Sequence, residues 1–273
     1  MTMKIIEKFI EGKDPDQTLC EDRIFLSPFF AAVFDGVTSK SDIRWNGETG
    51  GVHAIKLLGE VLEGLDPDSD VCNFASKATD AFSGECNSRG ITASNDRIQA
   101  CCVVYSARRN ELWFIGDCKA MADGKEVVSP LIDAEGIYSN ARALFLECEL
   151  ASGKTFDQIE ADDTGRAFIL PLVKKYSVFS NNGSSEYGYS VINGLPIPGQ
   201  LIHVAAIPSG CSEIVLSSDG YPKLFPTLEE TESYLKALLE KDPLCFRENK
   251  RPKGLHKGYN SFDDRAYLRF RPC

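Results

Sequence analysis

The chain has 273 residues, 43% of them hydrophobic, and a formal net charge of −10. That length allows one large domain or two small ones, and the acidic balance argues against nucleic acid and anionic membrane surfaces as partners. Three dispersed histidines, His53, His203 and His256, give poor support to a histidine-built zinc site or a Ser-His-Asp triad.

The N-terminal stretch MTMKIIEKFIEGKDPDQ has no long apolar run and no small-residue cleavage site, so neither a signal peptide nor a membrane span is expected. A cytoplasmic, reducing setting follows. The ten cysteines, none in a C-x-x-C pair, then read as free thiols. KIIEKFI, RIFL and FFAAVF read as short strands. Apolar residues at Val52, Ile55, Leu58, Val61, Leu62 and Leu65 give an amphipathic helix, and Val71, Phe74, Ala78 and Phe82 line a second. RIQACCVVYS and ELWFIGD, joined by ARRN, read as an antiparallel pair. In the first of these, neighbours Cys101 and Cys102 face opposite ways. KAMADGKEVVS carries Asp-Gly at a hairpin tip. Residues 131–151 and 155–176 read as two helices, whose apolar stripes are either plain core or a surface that covers the site or contacts a partner. YGYSVINGLPIPGQLIHVAAIP alternates and turns, EIVLSSDG is a strand, TLEETESYLKALLEK a helix and RAYLRF a closing strand. The basic run ENKRPKGLHKG (248–258) reads as a solvated loop.

Strands arrive in hairpins and helices in pairs, which is an α+β pattern of antiparallel sheets packed face to face. A dinucleotide-binding sheet would need regular βαβ alternation and a Gly-rich phosphate loop, and neither is present.

Apolar runs end repeatedly on acids: FFAAVF on Asp35-Gly36, ELWFI on Gly116-Asp117, and IVLSS on Asp219-Gly220. Taken singly, such pairs are turns. As a set they collect carboxylates at one end of a sheet, and all-oxygen clusters suit Mg²⁺, Mn²⁺ or Ca²⁺.

In order along the chain, CEDRIF (20–25), AAVFDGVTS, GETGGVHAIKLL, ELWFIGDCKAM, IVLSSDGYPKLF and FDDRAYLRF resemble the motifs of the metal-dependent serine/threonine protein phosphatases of type 2C. The resemblance covers nearly the whole chain. It implies one phosphatase-like domain over 1–273, folded as a four-layer α-β-β-α sandwich with helix pairs outside. It implies two Mg²⁺ or Mn²⁺ ions, a phosphorylated protein as substrate, and hydrolysis by an activated water. Asp35 would bridge the ions, with the Gly36 carbonyl on one of them. Asp219 and Asp263 would hold the other, and Glu21 and Asp22 would bind metal or orient its waters, so that catalysis depends on Asp35 and Asp22. Asp264 would hydrogen-bond nearby backbone or a metal-bound water.

The departures imply a divergent branch of bacterial type. KDPDQTL lacks the family's early phosphate-binding arginine; Lys40, Arg44 and Arg23 are candidate substitutes, each also readable as a surface charge. Val37 stands where eukaryotic members have histidine. Asp117 matches a third-metal position, but its partner acid is replaced by Lys223, so a cationic side chain rather than a metal ion is expected beside Asp117. These changes keep a second reading open, a catalytically weak regulatory or phosphoprotein-binding module. A haloacid-dehalogenase-type hydrolase would need an acid at Val37.

Overall fold

The computed structural model describes residues 3–39, 41–128 and 134–272. Two antiparallel sheets of five strands stack face to face. One contains β2 (Asp22–Leu26), β3 (Phe30–Gly36), β4 (Ala100–Ser106), β5 (Glu111–Ile115) and β8 (His203–Ala206), in that order. The other contains β1 (Lys4–Glu11), β10 (Arg265–Arg271), β9 (Ile214–Ser217), β6 (Lys119–Ala122) and β7 (Lys125–Val127).

Period-two alternation decides what each strand buries. On β3, Phe30, Ala32 and Phe34 face the outer helices, while Ala31 and Val33 face the second sheet. Cys101 and Cys102 on β4 split the same way, as adjacent strand residues must. The outer helices are α1 (Gly50–Glu63) and α2 (Val71–Ser88), whose Leu58, Phe74 and Phe82 pack on Phe34 and Trp113. Over the second sheet lies α6 (Leu228–Lys241), with Leu235 against Val215 and Tyr267. The α+β sandwich of the sequence reading is therefore what forms.

Residues 134–176 build a separate layer. α3 (Ala134–Ala151) packs on α5 (Thr164–Tyr176); the start of the expected helix, 131–133, lies outside the described residues. The expected helix 155–176 is broken at Asp162-Asp163. Thr155 caps α4 (Phe156–Ala161) through a reciprocal bond pair with Gln158, and the Asp163 side chain accepts from the Arg166 amide to start α5. Arg142 on α3 is fully buried. It pairs with Asp163 and donates to the carbonyls of Leu244, Cys245 and Arg251, tying this layer to the segment after α6. The apolar stripes are not wholly core, because Ile137, Leu144, Phe168 and Leu172 are exposed. The alternating stretch before residue 208 gives only β8 and isolated bridges such as Ala100–Ile192, since Pro196 and Pro198 cannot donate to a ladder. The nine described cysteines are free thiols. Among the described residues, no helix is long and apolar enough to cross a membrane.

Candidate metal centre

Antiparallel pairing answers why the apolar strands end on acids. β3 and β9 run out, and β2 and β10 begin, at the same end of the sandwich, and the turn between β5 and β6 lies there too. Asp22 and Asp35 are direct cross-strand partners in the β2–β3 register. Asp22 shares the parity of Ile24 and Asp35 that of Val33, so both face the space between the sheets. Asp117 leaves β5, Asp219 follows β9, and Asp263 precedes β10.

Burial and like charge raise these acids. Asp35 is pushed well above the ordinary carboxylate value, by burial first and then by Asp22, Asp219 and Asp117. Asp22 rises for the same reasons, burial first, against a lowering contribution from Ser218. Its Oδ2 atom is buried without a hydrogen-bond partner. A carboxylate oxygen in that condition is costly unless a cation meets it.

Glu21 and Asp264 are engaged differently. The hydroxyls of Thr49 and Thr38 donate to the two Glu21 oxygens at 2.8 and 2.6 Å. Thr49 is also the N-cap of α1, so one residue starts the helix and fixes the acid. The approach is tight: a Cβ on Gly51 would lie 2.5 Å from Glu21 Oε1, and one on Gly36 would lie 2.5 Å from the Gly51 carbonyl. Only glycine fits either position, which accounts for the Asp-Gly and Gly-Gly spellings. Asp264 accepts the Lys13 amide at 2.7 Å and the Glu21 amide at 3.1 Å. It thus takes the backbone role read from the doublet, and Asp263 is the member that turns to the cavity.

Several cations already lie on this cluster. Lys13 Nζ reaches Asp263 at 3.2 Å and Asp264 at 3.1 Å, and Lys253 Nζ reaches Asp263 at 2.8 Å. Burial alone would raise Asp263, but Lys253, Lys13 and Arg251 hold it below its ordinary value. Arg251 joins Asp219 Oδ2 at 2.5 Å and Glu135 Oε1 at 3.1 Å. The run 248–258 is therefore not simply a solvated loop, since two of its basic residues turn inward onto acids.

The expectation at Asp117 needs correction. Lys223 is not its neighbour; its ammonium lies 4.8 Å from the centre of the Phe225 ring. The cation that lowers Asp117 is Arg251, while burial and then Asp219 raise it. The missing second acid is supplied by Glu135 of α3. Ligand atoms of Asp117, Glu135 and Asp219 lie within 4.8 Å of one another. Glu135 is pushed up to about 7, by burial first and then by Asp219 and Asp117 against the pull of Arg251.

A cavity of about 800 Å³ opens over the cluster, lined by Asp35, Gly36, Asp117, Glu135, Asp219 and Asp263 among others. Its opposite wall carries Tyr138 of α3 and Arg166 and Leu170 of α5. Of the candidate phosphate-binding residues, Arg23 lies against Gly59 of α1, and the Arg44 carbonyl accepts from Arg89. Neither is among the described cavity-lining residues, and Lys40 lies outside the described residues. Glu135, Lys13, Arg251 and Lys253 carry no motif that points to them.

The donor set fits hard divalent cations. It is all oxygen, an orphaned Asp22 atom sits within it, and its acids outnumber the cations that touch them.

No protein-family model matches the chain, and no curated protein does. Solved structures do match its fold. The catalytic domain of the serine/threonine protein phosphatase PstP, in complex with two manganese ions, superposes with a TM-score of 0.50 at 13% identity, over 99% of each chain. A point variant of a bacterial serine phosphatase superposes with a TM-score of 0.50 at 11% identity, again over 99% of each chain. The fold is that of the type 2C phosphatases, as the ordered motifs implied.

Proposed function

We propose that the chain is a divalent-metal-dependent phosphomonoesterase, a single phosphatase-like domain acting on phosphoserine or phosphothreonine in proteins. The observation that carries this reading is the cross-strand pair of buried Asp22, which holds an unpartnered oxygen, and part-buried Asp35, which lines a cavity ringed by further acids. Two Mg²⁺ or Mn²⁺ ions bound there would supply a water of lowered pKa and neutralise charge in the in-line displacement.

The chain's own residues do the remaining work. Asp35, Asp22, Asp219 and Asp263 provide the carboxylates, and the Gly36 carbonyl stands beside Asp35. Glu21, next to Asp22 in the chain, is held in place by two threonine hydroxyls. Asp264 ties the amides of Lys13 and Glu21 to the start of β10. The α3–α5 layer walls the cavity and limits water.

A second reading has its own support. Asp219 and Asp263 are already paired with Arg251, Lys253 and Lys13, which suits a module that binds a phosphoprotein without turning it over. Hydrolysis of p-nitrophenyl phosphate separates the two. Turnover lost on chelation and restored by Mn²⁺ supports the enzyme. Mn²⁺ binding by calorimetry without turnover on this ester or on phosphopeptides supports the module.

A further inference from the structure

A phosphate monoester enters as a dianion, and here it must enter a ring of carboxylates. Something cationic has to meet it at the opening. The cavity lining offers Arg97, Lys119, Arg166, Lys174, Arg251 and Lys253.

Four of these are unsuited. Arg97 is spent on the carbonyls of Asn193, Gly194 and Ile91. The Lys119 ammonium donates to the carbonyls of Tyr221 and Pro222. Arg166 sits on α5 and reaches the Pro252 carbonyl at 3.4 Å. Lys174 is exposed near the far end of α5. Lys13 is not among the lining residues and is bound to Thr38, Asp263 and Asp264.

Arg251 and Lys253 differ from all of these. They flank Pro252 on a segment that is braced from several sides. The Asp242 carboxylate accepts from the amides of Phe246, Arg247, Glu248 and Asn249. The Arg251 amide donates to the Cys245 carbonyl at 3.0 Å, and its own carbonyl accepts from buried Arg142 at 3.1 Å. With the backbone pinned at both ends, the guanidinium is aimed into the cavity, 5.3 Å from the Phe262 ring. Its Nε is nonetheless a buried donor with no partner. Lys253 ends on Asp263 from the same side. A planar fork beside an ammonium is the arrangement that binds phosphoryl oxygens well.

We infer that Arg251 and Lys253 are the phosphate anchor of this site, taking two oxygens of a phosphate-monoester dianion when divalent cations occupy Asp219 and Asp263. The assignment rests on the phosphatase reading and adds to it the residues that hold the substrate. In the structure Arg251 pairs with Asp219 and Glu135, and Lys253 pairs with Asp263. With divalent cations held on Asp219 and Asp263, Arg251 and Lys253 would be free within the same cavity to pair with the incoming dianion.

The test is calorimetric titration of Mn²⁺ into the metal-free protein, then of orthophosphate into the Mn²⁺-loaded protein, for wild type, Arg251→Met and Lys253→Met. Orthophosphate should bind the wild type and bind at least tenfold more weakly in Arg251→Met and severalfold more weakly in Lys253→Met. Mn²⁺ should bind metal-free Arg251→Met at least as tightly as wild type, because a competing cation is gone, so weaker orthophosphate binding in that variant cannot come from a lost metal. Lys253 is the more open of the two and guards against misfolding of the arginine variant. Orthophosphate affinity within twofold of wild type in both variants overturns the anchor, and if p-nitrophenyl phosphate is still turned over, it leaves the phosphatase reading standing. A Mn²⁺-loaded wild type that binds no phosphate and turns nothing over overturns both.

Discussion

Replacing Asp35 by asparagine should shift stability and metal affinity in opposite directions. Without metal, Asp35 is partly buried among acids that raise its pKa, with Asp22 directly across the ladder. Directly opposed residues have Cβ atoms about 5 Å apart. At an effective dielectric near 20, two unit charges at about 5 Å repel by about 3 kcal/mol. The raised pKa shows that part of this is already relieved by proton uptake. Asparagine is neutral and nearly isosteric, so the metal-free variant should gain about 1–2 kcal/mol at neutral pH. For a chain of this size that is a rise in Tm of about 2–6 °C. The same change removes a charged ligand. Mn²⁺ binding should weaken at least tenfold, and turnover should fall about a thousandfold or more. Thermal melts in chelator and in millimolar Mn²⁺, with calorimetry alongside, read both effects. A variant less stable than wild type in chelator, with Mn²⁺ affinity intact, would refute the idea that Asp35 is held for a cation.

Asp263→Asn should weaken Mn²⁺ binding and cut turnover by orders of magnitude, whereas Asp264→Asn should cost no more than about tenfold in rate, because asparagine can still accept a backbone amide. The reverse order in a kinetic and calorimetric comparison would contradict the split seen at this doublet. Asp117→Ala should change activity modestly and leave the Mn²⁺ dependence in place, since Asp22, Asp35, Asp219 and Asp263 still supply carboxylates; loss of one equivalent of bound Mn²⁺ would count against this. Arg142→Met removes a fully buried cation from Asp163 and from three carbonyls, and should cost about 3–5 kcal/mol in a denaturant titration. The metal-free protein should also lose stability as pH rises. Glu135 is raised from 4.5 to about 7, so its contribution is full below pH 4.5 and is lost on the way to about 7. Asp35, Asp22 and Asp117 act in the same direction. Asp263, which is lowered, acts only below its ordinary value of 3.8 and does not offset them. Melts in chelator that rise steadily from pH 5 to 7 would contradict this sign.

The strands and the first helix pair were legible because their chemistry is local. Alternation along FFAAVF sends Phe30, Ala32 and Phe34 one way and Ala31 and Val33 the other, and Asp35 follows from the same parity. Gly36 and Gly51 were legible as motif spellings, and close approach to Glu21 explains them. The cationic half of the site was not legible. Arg251 and Lys253 sit in a run that looks like any solvated loop, and only the brace from Asp242 and Arg142 turns them inward. Glu135 begins a helix with no acidic motif, and its meeting with Asp117 and Asp219 depends on how the α3–α5 layer docks. Lys223 misled for the complementary reason. It stands at the right spacing, but its backbone aims it at Phe225. Spacing along a strand end is set by local geometry, whereas a contact between a helix terminus and a distant loop is set by packing that no short window encodes.

The most direct test is release of orthophosphate from a phosphothreonine peptide by metal-stripped protein as Mn²⁺ is added back, with Asp35→Asn run in parallel. The account predicts no release before addition, saturable release as Mn²⁺ fills the carboxylate cluster, and none from the variant at any Mn²⁺ concentration. Release that is unaffected by chelation, or saturated Mn²⁺ binding with no phosphate released, would contradict it.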